Sequence, residues 1–325
     1  MKNVLVTGAA GFLGSHLAKH HLDAGDRVHG FDDFCSSDPG SAHLADLRSY
    51  ESFTLQVCSI TDIQMRDHAM AWANKNGDVD LIYNFACPAS PPRYQDMPIH
   101  TMLTCVAGTE NMLKVAEDFN AVLVHASTSE VYGDPDTSPQ PESYRGCVNS
   151  YGPRACYDEG KRAAEALCYD YLNSYNVDAR LVRIFNTYGP NMDPYDGRVV
   201  SNFIRQALKR EPLTVYGHGQ QTRSFCYVDD LIRGIVALGT LESNPATPVN
   251  LGNPDEFKVI ELAEKVARKL CDGKLVRGNH SMPADDPRQR CPDISRAQQL
   301  LGWEPKVTLD EGLDRTIEYL RSVVR

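Results

Sequence analysis

Tyr157 and Lys161 lie four residues apart in YGPRACYDEGKR, a stretch that reads as the start of a helix. Gly152 and Pro153 end a loop, and good helix formers follow from Ala155 to Ala166. On a helix this spacing stacks the phenol and the ammonium on one face. An ammonium beside a phenol favours the phenolate, so the expectation is a tyrosine of lowered pKa that can take a proton from a hydroxyl near neutral pH. The spacing alone is common in a chain with 15 tyrosines, and an ordinary exposed helix pair would carry it too. The second chemical feature is at the N-terminus, where NVLVT leads into Gly8, Gly11 and Gly14 and then a helical pattern through His21. Strand, glycine turn and helix in that order suit a dinucleotide. Gly8 and Gly11 let the backbone approach a pyrophosphate, Gly14 lets the helix pack on the strand, and the helix start at Phe12 and Leu13 offers free N–H groups. A second strand, RVHGFDD, ends at Asp32, whose carboxylate can bind both ribose hydroxyls of NAD and would repel the extra phosphate of NADP. Asp33 is the second choice for that role, with turn chemistry as its other reading.

The elements that must position these groups alternate. After Asp32 comes a polar loop to residue 52, then a strand in SFTLQVCSI and a helix over 61–76 capped by Thr61 or Asp62. DLIYNFA is the next strand, and it opens into the proline-rich loop CPASPPRY at a strand's carboxyl end, where open α/β sheets bind ligands. A helix over 99–118, the strand AVLVHAS with Thr128, Ser129 and Glu130 at its exit, the Tyr157 helix and the strand ARLVRIFN follow. This alternation predicts an α/β fold, a Rossmann-type doubly wound parallel sheet with a smaller C-terminal substrate-binding lobe. The sheet domain is expected over 1–185 with 224–252 returning to it, and the lobe over 186–223 and 253–325. Helices are expected at 199–209, 228–241 and 257–271.

The 325 residues are 42% hydrophobic and 23% charged, enough to bury a sizeable core. A net charge of −10 argues against nucleic acid or an anionic membrane as the main partner. The chain has no apolar run of transmembrane length, and MKNVLVTGAAG enters a strand without a signal peptide, so a cytoplasmic protein is expected. The ten cysteines include no Cys-x-x-Cys and read as reduced packing residues. His16 and His20 share a helix spacing, but no third ligand accompanies them, so no metal is expected.

From TGAAGFLG to LGWEP the chain resembles the extended short-chain dehydrogenase/reductase superfamily. PASPPRY, ASTSEVYGDP, GPRACYDEGKR, RIFNTYGP, DGRVVSNFI, PLTVYGHGQQTR and PVNLGNP are similar to the UDP-glucuronate decarboxylases (UDP-xylose synthases) within it. The resemblance implies NAD, a UDP-hexuronate substrate and a homodimer through helices around 102–118 and 155–173. It implies that Thr128 and Tyr157 bond the sugar's C4 hydroxyl, Lys161 holds the nicotinamide ribose, Glu130 moves a proton at C5, and Arg290 holds the sugar carboxylate. Asn186 and Arg223 would hold the diphosphate, and Tyr94, Arg154 and Tyr216 the sugar and uridine. Ser59, Ile60, Phe85, Ala86, Thr104, Ala126, Thr187 and Arg198 would lie on the cofactor side. The chain departs from the family at Cys35-Ser36-Ser37-Asp38, where a basic segment is usual, and at Ser59, where an aspartate is. A hexuronate 4-epimerase, a decarboxylase that releases the 4-keto pentose, and a non-enzymatic NAD-binding sensor or scaffold are the competing readings. Arginine at 290 favours decarboxylation over epimerisation, Ser129 disfavours a 4,6-dehydratase, and the intact Thr128, Tyr157 and Lys161 set disfavours the sensor.

Overall fold

The computed structural model describes residues 1–272, 277–280, 287 and 289–324. The expected lobe therefore includes stretches, 273–276, 281–286, 288 and 325, that lie outside the described residues. The chain begins with β1 (Asn3–Thr7), α1 (Phe12–Asp23), β2 (Arg27–Asp32), α2 (Ala42–Arg48), β3 (Phe53–Val57), α3 (Met65–Asn76) and β4 (Leu81–Asn84). After α4 (Pro91–Asp96) come α5 (Pro98–Leu103), a π turn (Thr104–Gly108) and α6 (Thr109–Phe119). Then follow β5 (Val122–Thr128), α7 (Ala155–Tyr175) and β6 (Ala179–Ile184). The strand Val249–Leu251 completes a seven-stranded sheet in the order 249–251, β6, β5, β4, β1, β2, β3. Every pairing in it is parallel. A parallel sheet is covered on both faces, which is why β1 and β4 are buried at every residue and apolar over Val4–Val6 and Leu81–Tyr83.

Outside the sheet, Val199–Leu208, Val228–Gly239 and Val259–Leu270 form the expected helices, each ending one or two residues early. Short strands pair outside the main sheet: Thr222–Ser224 antiparallel with Glu256–Lys258, and Leu213–Tyr216 parallel with 277–280. Two expectations change. The helix expected over 61–76 starts at Met65, because Asp62 is used in a turn: its carboxylate accepts the Ser59 N–H at 3.0 Å and its own N–H donates to the Ser59 carbonyl. The helix expected over 99–118 contains the π turn Thr104–Gly108, whose Gly108 admits Ile60; a Cβ there would stand 2.6 Å from the Ile60 side chain.

Candidate active site

The carboxyl ends of β1, β2, β4, β5 and β6 open into one cavity of about 1210 Å³. All the residues expected at the site line it, from Gly8 to Arg290. At the β1 end the backbone itself makes the shape. Gly8 has a φ of +68°, and a Cβ on it would sit 3.1 Å from Ala86. Gly14 is packed so closely on the turn that a Cβ would fall 2.0 Å from the Gly8 carbonyl oxygen. The start of α1 has no side-chain cap and no acidic residue in its first turn, an arrangement that favours an anion there. Thr7 fixes the facing loop by accepting the N–H groups of Phe85 at 2.9 Å and Ala86 at 3.0 Å.

Asp32 ends β2 and is buried. Burial raises its pKa, and bonds from the Ser37 hydroxyl at 2.7 Å and the Phe34 and Ala10 N–H groups, each at 2.9 Å, work against that rise. Asp33 turns the other way, with one oxygen on the Cys35 N–H and the other 3.5 Å from the His100 ring. Among the described residues, Asp33, Cys35 and His100 form the one group spaced for a metal ion; the His16 ring instead meets the Pro190 carbonyl. Ser59 and Ile60 border the same end. This glycine cradle, uncapped helix start and terminal carboxylate fit a dinucleotide.

Beside the cradle, α7 carries Tyr157 and Lys161 inward, both buried. The Lys161 ammonium donates to the Ala126 carbonyl at 2.7 Å and lies 6.0 Å from the Tyr157 ring centre. The expected lowering of the Tyr157 pKa is not found. Burial pushes the phenol well above its ordinary value, the Cys87 and Cys105 sulfurs add to the rise, and a hydrogen bond with Thr128 opposes it. Seclusion from water outweighs the lysine, whose ammonium is engaged with a carbonyl. Tyr94 stacks flat on Tyr157, ring centres 5.0 Å apart, and its own hydroxyl is buried without a partner.

Past Thr128 the chain turns through Ser129–Tyr132 and aims Glu130 into the cavity. One Glu130 oxygen accepts from Arg154 at 2.7 Å and from Arg290 at 2.8 Å. Burial opposes its ionisation, but Arg290, Arg154 and then Arg223 outweigh that and hold it below the usual carboxylate range. Arg290 also donates to Asn186 at 3.2 Å. Its segment is clamped: the Gln140 N–H donates to the Cys291 carbonyl, the Cys291 N–H donates to the Gln140 side-chain oxygen, and Asn250 of the edge strand donates to the carbonyls of Gln140 and Asp293. Asp158 faces Arg154 at 3.7 Å, with its other oxygen buried and unpartnered. Burial, followed by the Glu130 charge, raises Asp158 to about 7.

The remaining predicted contacts are placed but hold protein partners. Thr104 bonds the His100 carbonyl, Thr187 the Phe185 carbonyl, and Arg198 pairs with Asp196 at 3.0 Å while reaching the Ala89 carbonyl. Arg223 is buried at the wall and Tyr216 is half exposed. Sequence reasoning passed over Asp158, although Arg154 and Asp158 are four apart in the first turn of α7 and that spacing was readable. It also passed over Cys87 and Cys105, whose contact no sequence spacing indicates.

A family model described as GDP-mannose 4,6 dehydratase matches residues 5–316. UDP-glucuronic acid decarboxylase 1 of Xenopus tropicalis is 47% identical over 321 residues, 98% of this chain and 72% of that protein. UDP-glucuronic acid decarboxylase 3 of Arabidopsis thaliana is 46% identical, over 95% of this chain and 86% of its own. Among solved structures, UDP-glucuronic acid 4-epimerase from Bacillus cereus, in complex with UDP-glucuronic acid and NAD, superposes with a TM-score of 0.85 at 26% identity, covering 99% of each chain. UDP-glucose 4-epimerase from Thermotoga maritima, with UDP-glucose, gives 0.88 at 26% identity over 99% of this chain and 100% of that one. The cradle, the Tyr-x-x-x-Lys helix and these full-length likenesses together place the chain in the extended short-chain dehydrogenase/reductase family, alongside the UDP-glucuronic acid decarboxylases.

Proposed function

We propose that this chain is an NAD-dependent UDP-glucuronate decarboxylase, forming UDP-xylose and carbon dioxide through a 4-keto intermediate. The observation that carries the reading is the convergence of Arg290 and Arg154 on Glu130, beside Thr128 and Tyr157 in one cavity. When bound, NAD accepts a hydride from sugar C4 and later returns it. In this reading Gly8, Gly11, Phe12, Leu13, Gly14 and Asp32 hold the cofactor, and Lys161 holds its nicotinamide ribose. Thr128 orients the C4 hydroxyl and Tyr157 takes its proton. Tyr157, whose burial opposes ionisation, would take up that role once the Lys161 ammonium and a positively charged nicotinamide held beside it offset the burial. Oxidation at C4 makes the C5 carboxylate part of a β-keto acid, and the C4 carbonyl then accepts the electrons as carbon dioxide leaves.

Arg290 has a planar fork suited to that carboxylate. A substrate carboxylate drawing on Arg290 withdraws part of the charge that keeps Glu130 ionised. Glu130 then rises toward the range in which it can carry a proton to or from C5. Asn186, Arg223, Tyr94, Arg154 and Tyr216 are assigned to the nucleotide sugar. The reading divides the chain into a cofactor half, 1–185 with 224–252, and a nucleotide-sugar lobe, 186–223 and 253–325. It also takes the protein as a homodimer through the helices around 102–118 and 155–173, where Leu103 and Tyr169 are exposed, and as cytoplasmic. Among the described residues no helix is long and apolar enough to cross a membrane.

Incubation with UDP-glucuronate and NAD, followed by mass and NMR analysis of the sugars, is the test. UDP-xylose with released carbon dioxide is expected. Conversion to UDP-galacturonate with no pentose would replace the reading with epimerisation.

A further inference from the structure

Cys87 follows β4 in the loop that packs against the glycine turn and lines the cavity, while Cys105 is buried in the π turn before α6. Their sulfurs are 3.4 Å apart. Gly160, next to Lys161 on α7, makes room for them: a Cβ there would stand 3.0 Å from the Cys105 Cβ and 3.2 Å from its sulfur. The pair therefore sits between the cofactor loop and the helix that carries Tyr157 and Lys161. We propose that Cys87 and Cys105 form a second reactive site on this protein, a dithiol that takes a hydroperoxide and closes to a disulfide, stopping turnover.

The surroundings favour a thiolate, the form that reacts. A hydrogen bond with Cys87 lowers the Cys105 thiol, burial works against it, and the Lys161 ammonium lowers it further, to about 7. Cys87 moves the opposite way, raised first by its bond with Cys105 and then by burial, so the two sulfurs share one readily lost proton. Hydrogen peroxide reaches the pair through the cavity that Cys87 borders. The thiolate attacks one peroxide oxygen, the O–O bond breaks, and the departing hydroxide takes a proton and leaves as water. The sulfenic acid that remains is attacked by the second sulfur. The S–S bond forms, the S–O bond breaks, and the second water leaves with the remaining thiol proton. The dithiol loses two electrons and two protons, and the peroxide gains them.

Closing the bond brings the sulfurs together by about 1.4 Å. That pulls the Phe85–Ala86–Cys87 loop toward α7, or Cys105 away from Gly160, in the immediate surroundings of Tyr157. A catalytic group displaced by about 1 Å loses about 10²-fold in rate.

The test treats the purified full chain, with whatever cofactor it carries, with hydrogen peroxide and then quenches it. Intact mass should fall by two hydrogens, non-reducing peptide mapping should join Cys87 to Cys105, and turnover should drop about 10²-fold. A dithiol reductant should reverse all three. Cys105→Ala should neither cross-link nor lose rate relative to its own untreated sample, and Cys87→Ser should stop at a Cys105 sulfenic acid that a nucleophilic trap labels. Oxidation confined to other cysteines, a cross-link that leaves turnover unchanged, or equal inactivation of Cys105→Ala overturns the proposal. The turnover readout rests on the decarboxylase reading and the mapping does not, so failure of one is distinguishable from failure of the other.

Discussion

At the glycine-turn end of the cavity, position is enforced by what cannot fit. Gly14 against the Gly8 carbonyl and Gly8 against Ala86 leave no space for a Cβ, and Thr7 holds the facing loop by its N–H groups. At the Glu130 end the constraint is charge. One buried carboxylate is shared by two guanidinium groups, and a third arginine acts on it from nearby. The first end is rigid because any change collides, whereas the second is adjustable, since a new anion can redistribute the same cations. A cofactor held through a whole catalytic cycle suits the first. A carboxylate that must be gripped and then lost as carbon dioxide suits the second.

The largest effect is expected where the two ends meet. Tyr157→Phe keeps the ring and Lys161 but removes the proton acceptor, so turnover should fall by about 10²–10⁴-fold with NAD binding retained. Near-normal turnover, measured beside an NAD titration, would remove Tyr157 from the mechanism. Next comes the charge end. Arg290→Lys supplies a point charge in place of a fork, and decarboxylation should fall by about 10²-fold, far more than C4 oxidation. Single-turnover assays that read NADH and carbon dioxide separately will show whether both steps fall together, which would deny Arg290 its specific role.

For the steric end, Gly14→Ala should weaken NAD binding and lower stability by about 1–3 kcal/mol, since a backbone carbonyl must move. Denaturant unfolding that matches wild type would show that the cradle tolerates bulk. Asp32→Ala should relax discrimination against NADP by about tenfold through loss of ribose bonds and of repulsion; wild-type preference for NADP in direct titrations would undo the assignment.

The remaining prediction concerns the pH dependence that Asp158 confers. Its folded pKa, about 7, lies above its unfolded value, so its contribution to stability is complete below pH 4 and is lost as pH rises through 7. Asp158→Asn should therefore remove a decline on the order of 4 kcal/mol between those limits. Thermal melts of both proteins across that range measure it, and parallel curves would refute it.

Much of the steric end was legible because it is local: strand, glycines and helix are contiguous, and Tyr157 with Lys161 is one helical turn. At the charge end the resemblance named Glu130 and Arg290, but not the ion pair between them. Glu130 and Arg290 are 160 residues apart, and only the assembled fold brings them together. Burial was equally invisible, which is why the expected low pKa of Tyr157 gave way to a high one. The start of α3 failed for a local reason, since Asp62 serves a turn as readily as a cap.

Arg290 belongs to a segment clamped by Gln140 and Asn250, 160 residues after Glu130 in the chain. Ribosomes deliver residues in order and domains fold as they emerge. Every sheet strand is therefore available before the arginine exists, and Glu130 must wait, hydrated, for its second cation. The nascent protein can assemble its cofactor cradle early, but it becomes a finished catalyst only after residue 290 has been added.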